Sequence, residues 1–156
     1  MIRPTHPDDT PTLVALADAT GMFKPIEIKA LQEVLDDYFA TNQREGHIAI
    51  TLEENGEVLG FTYYAPAPMT DGTWQLWWIA VRKGTQGRGY GAQLLHHVEE
   101  DLRRRGARVL FIETGSVSHY ELTRRFYRKF GYEQHAVLAD FYAAGDSMIV
   151  FRKSLG

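Results

Sequence analysis

The sequence predicts a mixed α/β fold of the α+β type: one mixed, mostly antiparallel, twisted sheet with helices on both faces, in the order βααβββαβαββ. Three observations point there. Apolar residues recur at helical spacing up to Thr41 and in strand-like runs from His47 onward. Asn55-Gly56 stands between two β-rich runs, and both residues tolerate the positive φ that a tight hairpin needs. The glycine-rich stretch Gln86–Ala92 links a strand to a long helix that another strand follows, which makes one parallel β-loop-α-β crossover. At 156 residues the chain suits a single domain, 1–156, with a core of its own.

Each element has its own signal. Ile2 to Pro4 is a short first strand. Asp8 to Thr20 is a helix because Leu13, Leu16 and Ala17 keep helical spacing, Asp8 or Asp9 can cap its start, and Gly21 stops it. A second helix runs from Pro25, a good first-turn residue, to Thr41, with Ile28, Leu31, Val34 or Leu35, and Tyr38 or Phe39 inward. His47–Leu52 and Val58–Tyr64 form the hairpin; Pro66 and Pro68 interrupt the chain before Trp74–Val81, a third strand antiparallel to its predecessor. The helix after the glycines buries Leu94, Leu95, Val98 and Leu102 and ends near Arg105, before Gly106. Val109–Glu113 is a strand, Tyr120–Lys129 a helix closed by Gly131, and Tyr132–Leu138 and Ser147–Arg152 are final strands joined by a loop, Asp140–Asp146. No linker, repeat or low-complexity segment interrupts this order.

Composition excludes several classes of function. A hydrophobic fraction of 44% and a charged fraction of 24% are ordinary for a folded domain, and a net charge of −3 offers no global field to recruit nucleic acid or anionic lipid. The local basic runs, Arg103–Arg105 and Arg124, Arg125, Arg128 and Lys129, read as solvated helix faces. With no cysteine there is no thiol nucleophile, disulfide or cysteine-bound zinc, and the six histidines show no metal spacing, so no metal is expected. The N-terminal MIRPTHPDD has no apolar signal core. No uncharged run approaches the roughly 20 residues that span a bilayer, so a cytoplasmic protein without a membrane partner is expected.

QGRGYGA, Gln86 to Ala92, carries the main functional signal, and three readings compete for it. A plain helix-entry turn needs one glycine, not three. A dinucleotide fingerprint fits Gly87-Arg88-Gly89-Tyr90-Gly91-Ala92 as G-x-G-x-x-A, with Glu113 ending the next strand. However, Arg82–Gln86 intervene after the strand, an antiparallel hairpin precedes it, and only one crossover is present. Three glycines with Gln86 and Arg88 among them suggest open amides at a helix N-terminus, which suit an anion, and the third reading is a resemblance that names that anion's carrier.

Gln86-x-x-Gly89-x-Gly91, after Ile79-Ala80-Val81 and before a long helix, resembles the acetyl-CoA loop of the GNAT superfamily of N-acetyltransferases. Downstream, Arg125-Phe126-Tyr127-Arg128-Lys129-Phe130-Gly131-Tyr132 resembles the second signature of that family, and the element order fits from about Ile2 to Lys153. The resemblance implies transfer of an acetyl group from acetyl-CoA to a primary amine of a small molecule or peptide, by direct attack in a ternary complex. It implies that Ile79, Ala80 and Val81 pair through their backbone with the pantetheine arm. It further implies that Gln86, Gly87, Arg88, Gly89, Tyr90, Gly91 and Ala92 surround the coenzyme A pyrophosphate. Tyr127 takes the position of the acid that protonates the leaving thiolate and touches the cofactor. Glu113 is the base candidate, directly or through water, with His119 as an alternative.

The sequence departs from the family at one place. Tyr120 stands where an Asn commonly bonds the pantetheine, and Thr114–His119 is longer than usual; Ser116, Ser118 or His119 can replace that contact. For the acceptor, the resemblance directs attention to the first two helices and the loop before the last strand, which offer Phe23, Asp140 and Tyr142; Trp74 on the third strand and Glu113 at its strand end are further candidates. Strand alternation puts Trp74 and Trp78 on one face and Trp77 on the other. A non-catalytic acyl-CoA sensor of the same fold is the alternative function, a nucleic-acid acceptor is disfavoured by the charge, and a homodimer is a common family arrangement that nothing in the sequence fixes.

Overall fold

β-branched and aromatic runs become strands and the amphipathic runs become helices across residues 1–156, all of which the computed structural model describes. The elements are β1 (Ile2–Pro4), α1 (Thr10–Ala19), α2 (Pro25–Asp37), β2 (Ile48–Glu54), β3 (Glu57–Pro66), β4 (Thr73–Val81), α3 (Tyr90–Arg104), β5 (Val109–Gly115), α4 (Glu121–Lys129), β6 (Glu133–Ala143) and β7 (Asp146–Ser154). Seven strands lie in the order β1-β2-β3-β4-β5-β7-β6. The β4–β5 pair is parallel, while β1–β2, β2–β3, β5–β7 and β6–β7 are antiparallel. This is the mixed, mostly antiparallel sheet the sequence predicts. No helix is long and apolar enough to cross a membrane.

The chain divides into two compact units, Met1–Ala65 with Trp78–Asp101, and Pro66–Trp77 with Leu102–Gly156. In the first, the β2–β3 hairpin turns on Asn55 at φ 52° and Gly56 at φ 78°, the left-handed pair that its sequence anticipates. Leu13, Leu16 and Ala17 of α1 and Leu31 and Leu35 of α2 bury against Ala49, Phe61 and Tyr63, so the helical spacing of apolar residues becomes one face of a core. Two expectations change. Asp9 does not cap α1. Its carboxylate instead takes Arg3 at 2.7 and 3.0 Å and the His6 amide at 2.7 Å, because a fixed guanidinium fork outcompetes a single helix amide. The second helix does not stay α-helical to Thr41; it loosens after Asp37 into a π-turn over Tyr38–Asn42, which lets Tyr38 turn its ring edge-on to Tyr63 at 5.6 Å.

Gly60 of β3 is the tightest point of this unit. A Cβ there would stand 2.8 Å from the Ala80 carbonyl oxygen and 3.0 Å from Leu94 Cδ1, so β4 and α3 close on the strand only because it lacks a side chain. Gly60→Ala is expected to destabilise the protein by about 1–3 kcal/mol, as overpacking of a filled interior does, and to lower the midpoint of urea unfolding with little change in slope.

The second unit is built around β5. Its first residues pair in parallel with Thr73–Leu76 of β4, and its whole length pairs with β7, from Val109↔Ser154 to Gly115↔Met148. Leu102, Leu110, Ile112 and Phe151 are buried, and Tyr127 of α4 lies over Phe151 and Tyr132 with ring centroids 5.8 and 6.0 Å away. The Asp140–Asp146 loop expected from the sequence is instead mostly strand, since β6 continues to Ala143. A register shift between Leu138 and Ala143 absorbs the break in alternation that reads as a loop, with Asp140 at φ 55°. Arg124, expected on a solvated face, is buried: three residues before Tyr127, it shares that residue's inward face of α4.

Candidate active site

The glycine stretch sits on a braced foundation. Arg82 donates from its amide to the Leu59 carbonyl and from Nε to the Val58 carbonyl, both at 2.8 Å, which fixes where the chain leaves β4. Thr85 is buried and donates from Oγ1 to the Arg82 carbonyl at 2.6 Å. The Gln86 side chain folds back to accept the Gly84 amide at 2.9 Å, so this glutamine shapes the turn before it meets any ligand. Gly87 and Gly89 follow at φ 85° and 80°, and nothing lies within 4 Å of where a Cβ on either would be. The Gly89 carbonyl then accepts the Gln93 amide at 2.9 Å and α3 begins.

Those dihedrals turn a row of amides outward. Tyr90, Gly91 and Ala92 form the first turn of α3, where N–H groups have no intrahelical acceptor, and Gly87 and Gly89 donate to no protein group. Arg88, exposed, adds a charge beside them. The result is a cup of donors at the positive end of a helix dipole, open to solvent, whose chemistry suits an anion with several oxygens.

Ile79, Ala80 and Val81 form the end of β4, just before this turn. On the β3 side the strand is tied down, for Thr62 Oγ1 donates to the Trp78 carbonyl at 2.7 Å. The parallel ladder with β5 ends at Leu76↔Ile112, although β4 itself continues to Val81. The last part of β4 therefore has backbone groups that the parallel ladder does not use. Phe23 packs on Trp78 with centroids 5.2 Å apart and rests on the core of the first unit, so this acceptor candidate is a wall residue. Trp77 is 44% exposed, whereas Trp74 and Trp78 are half-buried, in keeping with the expected alternation.

In the second unit, Glu113 stands on β5 opposite Val150, with its side chain reaching solvent. Partial desolvation pushes its carboxyl above the usual carboxylate range. Tyr127 is 4% exposed, and burial drives its phenol well above the ordinary tyrosine range, which keeps it protonated. Tyr120 packs its ring where a side chain on Gly115 would be, 3.0 Å from that position, and meets the exposed His119 edge-on with ring centroids 5.2 Å apart. Ser116 Oγ accepts the Ser147 amide at 2.7 Å, which fixes the position of its hydroxyl. Asp140 and Tyr142 lie beyond the β5 end, at the tip of the β6–β7 hairpin. The Asp140 carboxylate accepts the Gly145 amide at 2.8 Å and so shapes the turn, whereas Tyr142 is 44% exposed.

The first unit thus gathers Phe23, Ile79–Val81 and the glycine turn, and the second gathers Glu113, Tyr120 and Tyr127, while Asp140 belongs to the hairpin tip. Sequence reasoning missed Arg124, Thr62 and Asp146. A helical-wheel reading of α4 would have flagged Arg124, because it falls on the face of Tyr127.

Residues 15–132 match the family model described as "Acetyltransferase (GNAT) family". A crystal structure from Desulfovibrio desulfuricans, assigned to acetyltransferases of the GNAT family, is 36% identical, covers 100% of this chain and 99% of its own, and superposes with a TM-score of 0.95. The [ribosomal protein bS18]-alanine N-acetyltransferase of Escherichia coli strain K12 is 27% identical over 69% of this chain and 70% of its own length. An N-acetyltransferase of Bacillus subtilis strain 168 is 32% identical over 42% of this chain, a stretch that spans only 44% of that protein. An aminoglycoside 6'-N-acetyltransferase crystallised with coenzyme A shares the fold, with a TM-score of 0.79 at 18% identity over 100% of this chain and 97% of that one.

Proposed function

The chain belongs to the acetyltransferase (GNAT) family, and from that premise we propose that residues 1–156 act as one catalytic domain moving an acetyl group from acetyl-CoA to a primary amine of a small molecule or peptide. The observation that carries the reading is the row of open amides at Gly87, Gly89, Tyr90, Gly91 and Ala92. A pyrophosphate supplies the oxygens they lack, and the empty space beside Gly87 and Gly89 leaves room for its approach. Ile79–Val81 would hold the pantetheine arm through backbone groups of β4, and an N–H there would polarise the thioester carbonyl as charge builds on oxygen.

Attack requires a neutral amine. Glu113 accepts the proton, directly or through water, as the N–C bond forms, the C–S bond breaks and the thiolate leaves. Tyr127 donates its O–H to that sulfur and is reprotonated from solvent. Burial keeps the phenol protonated, so its O–H is present to donate. Phe23 and Trp74 fall among the residues that receive the acceptor. Coenzyme A in the aminoglycoside 6'-N-acetyltransferase of the same fold supports the cofactor, and the N-acetylation of aminoglycosides by that neighbour and of a ribosomal protein by the Escherichia coli relative supports an amine acceptor.

The pH dependence follows from Glu113. A base works ionised, so kcat is lost as pH falls through the carboxyl's own value, which lies above the ordinary carboxylate value of about 4.3. Glu113→Gln is expected to remove that acid limb and to lower kcat by about a hundredfold or more at neutral pH. A kcat profile recorded by thiol release checks both, and an unchanged limb in the variant would assign the base elsewhere, with His119 the next to test.

A further inference from the structure

The buried guanidinium of Arg124 has no place in the chemistry above, yet a charge withdrawn from water persists only where strong partners hold it. It is 9% exposed and donates from Nη1 to the carbonyls of Gly115 and Val117, each at 2.9 Å. Gly115 is the last residue of β5, and Val117 precedes the 3-10 turn Ser118–Tyr120 that leads into α4. From β7 a second set of bonds grips the same turn. Asp146, 6% exposed, accepts the Ser116 amide at 3.1 Å, and Ser116 Oγ accepts the Ser147 amide at 2.7 Å. A Cβ on Gly115 would stand 2.9 Å from the Asp146 carboxylate and 3.0 Å from the Tyr120 ring, so the grip closes only around a glycine. Three consecutive residues are held in this way. Glu113 lies two positions before them, and Tyr127 lies one helical turn after Arg124.

We propose that Arg124 is a positioning residue that locks the helix carrying Tyr127 to the strand end carrying Glu113, with Asp146 as the opposing jaw of the clamp. The proposal rests on the reading that Glu113 and Tyr127 handle the two protons. Both bonds leave the one nitrogen Nη1; a lysine at 124 keeps the charge but ends one atom short of that nitrogen, and a methionine donates nothing. Small displacements of reacting groups lower turnover more than binding, so the effect falls on kcat.

The test measures the full-length parent, R124K, R124M and D146N by amide hydrogen exchange and by steady-state kinetics, with E113Q and Y127F alongside. Exchange at Ser116–His119 is expected to quicken in R124K and D146N. The kcat is expected to fall by about tenfold in R124K and further in R124M, with KM for acetyl-CoA within about twofold of the parent. If R124M does not fold, R124K and D146N alone decide. Unchanged exchange, or kcat within twofold of the parent in both, would overturn the clamp. Full activity in E113Q and Y127F would overturn the reading beneath it while leaving the exchange result to stand on its own.

Discussion

Gly89→Val is expected to weaken acetyl-CoA binding by about a hundredfold or more. Two effects combine. The residue holds φ at 80°, a left-handed conformation that a β-branched side chain strongly resists, so the turn must reshape. A side chain that does keep the conformation projects into the open space above the amides. Two lost hydrogen bonds to a charged group, each contributing about 1.5–3 kcal/mol, account for that factor and more. Gly91→Val separates the causes. Gly91 lies within α3 and is not at positive φ, so its substitution blocks approach without left-handed strain. Both variants should keep a cooperative thermal unfolding transition, while calorimetric titration with acetyl-CoA shows the loss. Binding at parental strength in both would mean that the glycines serve the turn and not a ligand.

Tyr127→Phe is the second large effect. The ring keeps its packing on Tyr132 and Phe151, so the fold should survive, and only the phenolic O–H is removed. Loss of a general acid is expected to lower kcat by about a hundredfold or more, with KM for acetyl-CoA little changed. A thiol-release assay under saturating acetyl-CoA reads this directly. An unaltered kcat would show that the thiolate leaves without help from this residue, and that Tyr127 is an aromatic core residue.

Much of this was legible in the sequence, because each legible feature is local. The hairpin at Asn55-Gly56 is written in two residues whose backbone tolerance is intrinsic, and helices stop at Gly21, Gly106 and Gly131 for the same kind of reason. The glycine turn was legible because Gln86, Gly87 and Gly89 lie within a few positions of one another and a turn is set by its own residues. What escaped depends on tertiary partners. Asp9 reads as a cap until Arg3 is seen beside it. The stretch from Asp140 reads as a loop because its alternation fails, and only the β7 ladder shows that a bulge absorbs the break. Arg124 reads as one more surface charge in a basic run, and only the carbonyls of Gly115 and Val117 explain why it is buried.

The most direct test of the central claim, that the Gly87–Ala92 turn holds the pyrophosphate of acetyl-CoA, is calorimetric titration of the full chain with acetyl-CoA, with NADH in a parallel cell. Binding of acetyl-CoA in the micromolar range, with no heat from NADH, is the predicted result. Binding of NADH without acetyl-CoA would contradict it and return the turn to the dinucleotide reading.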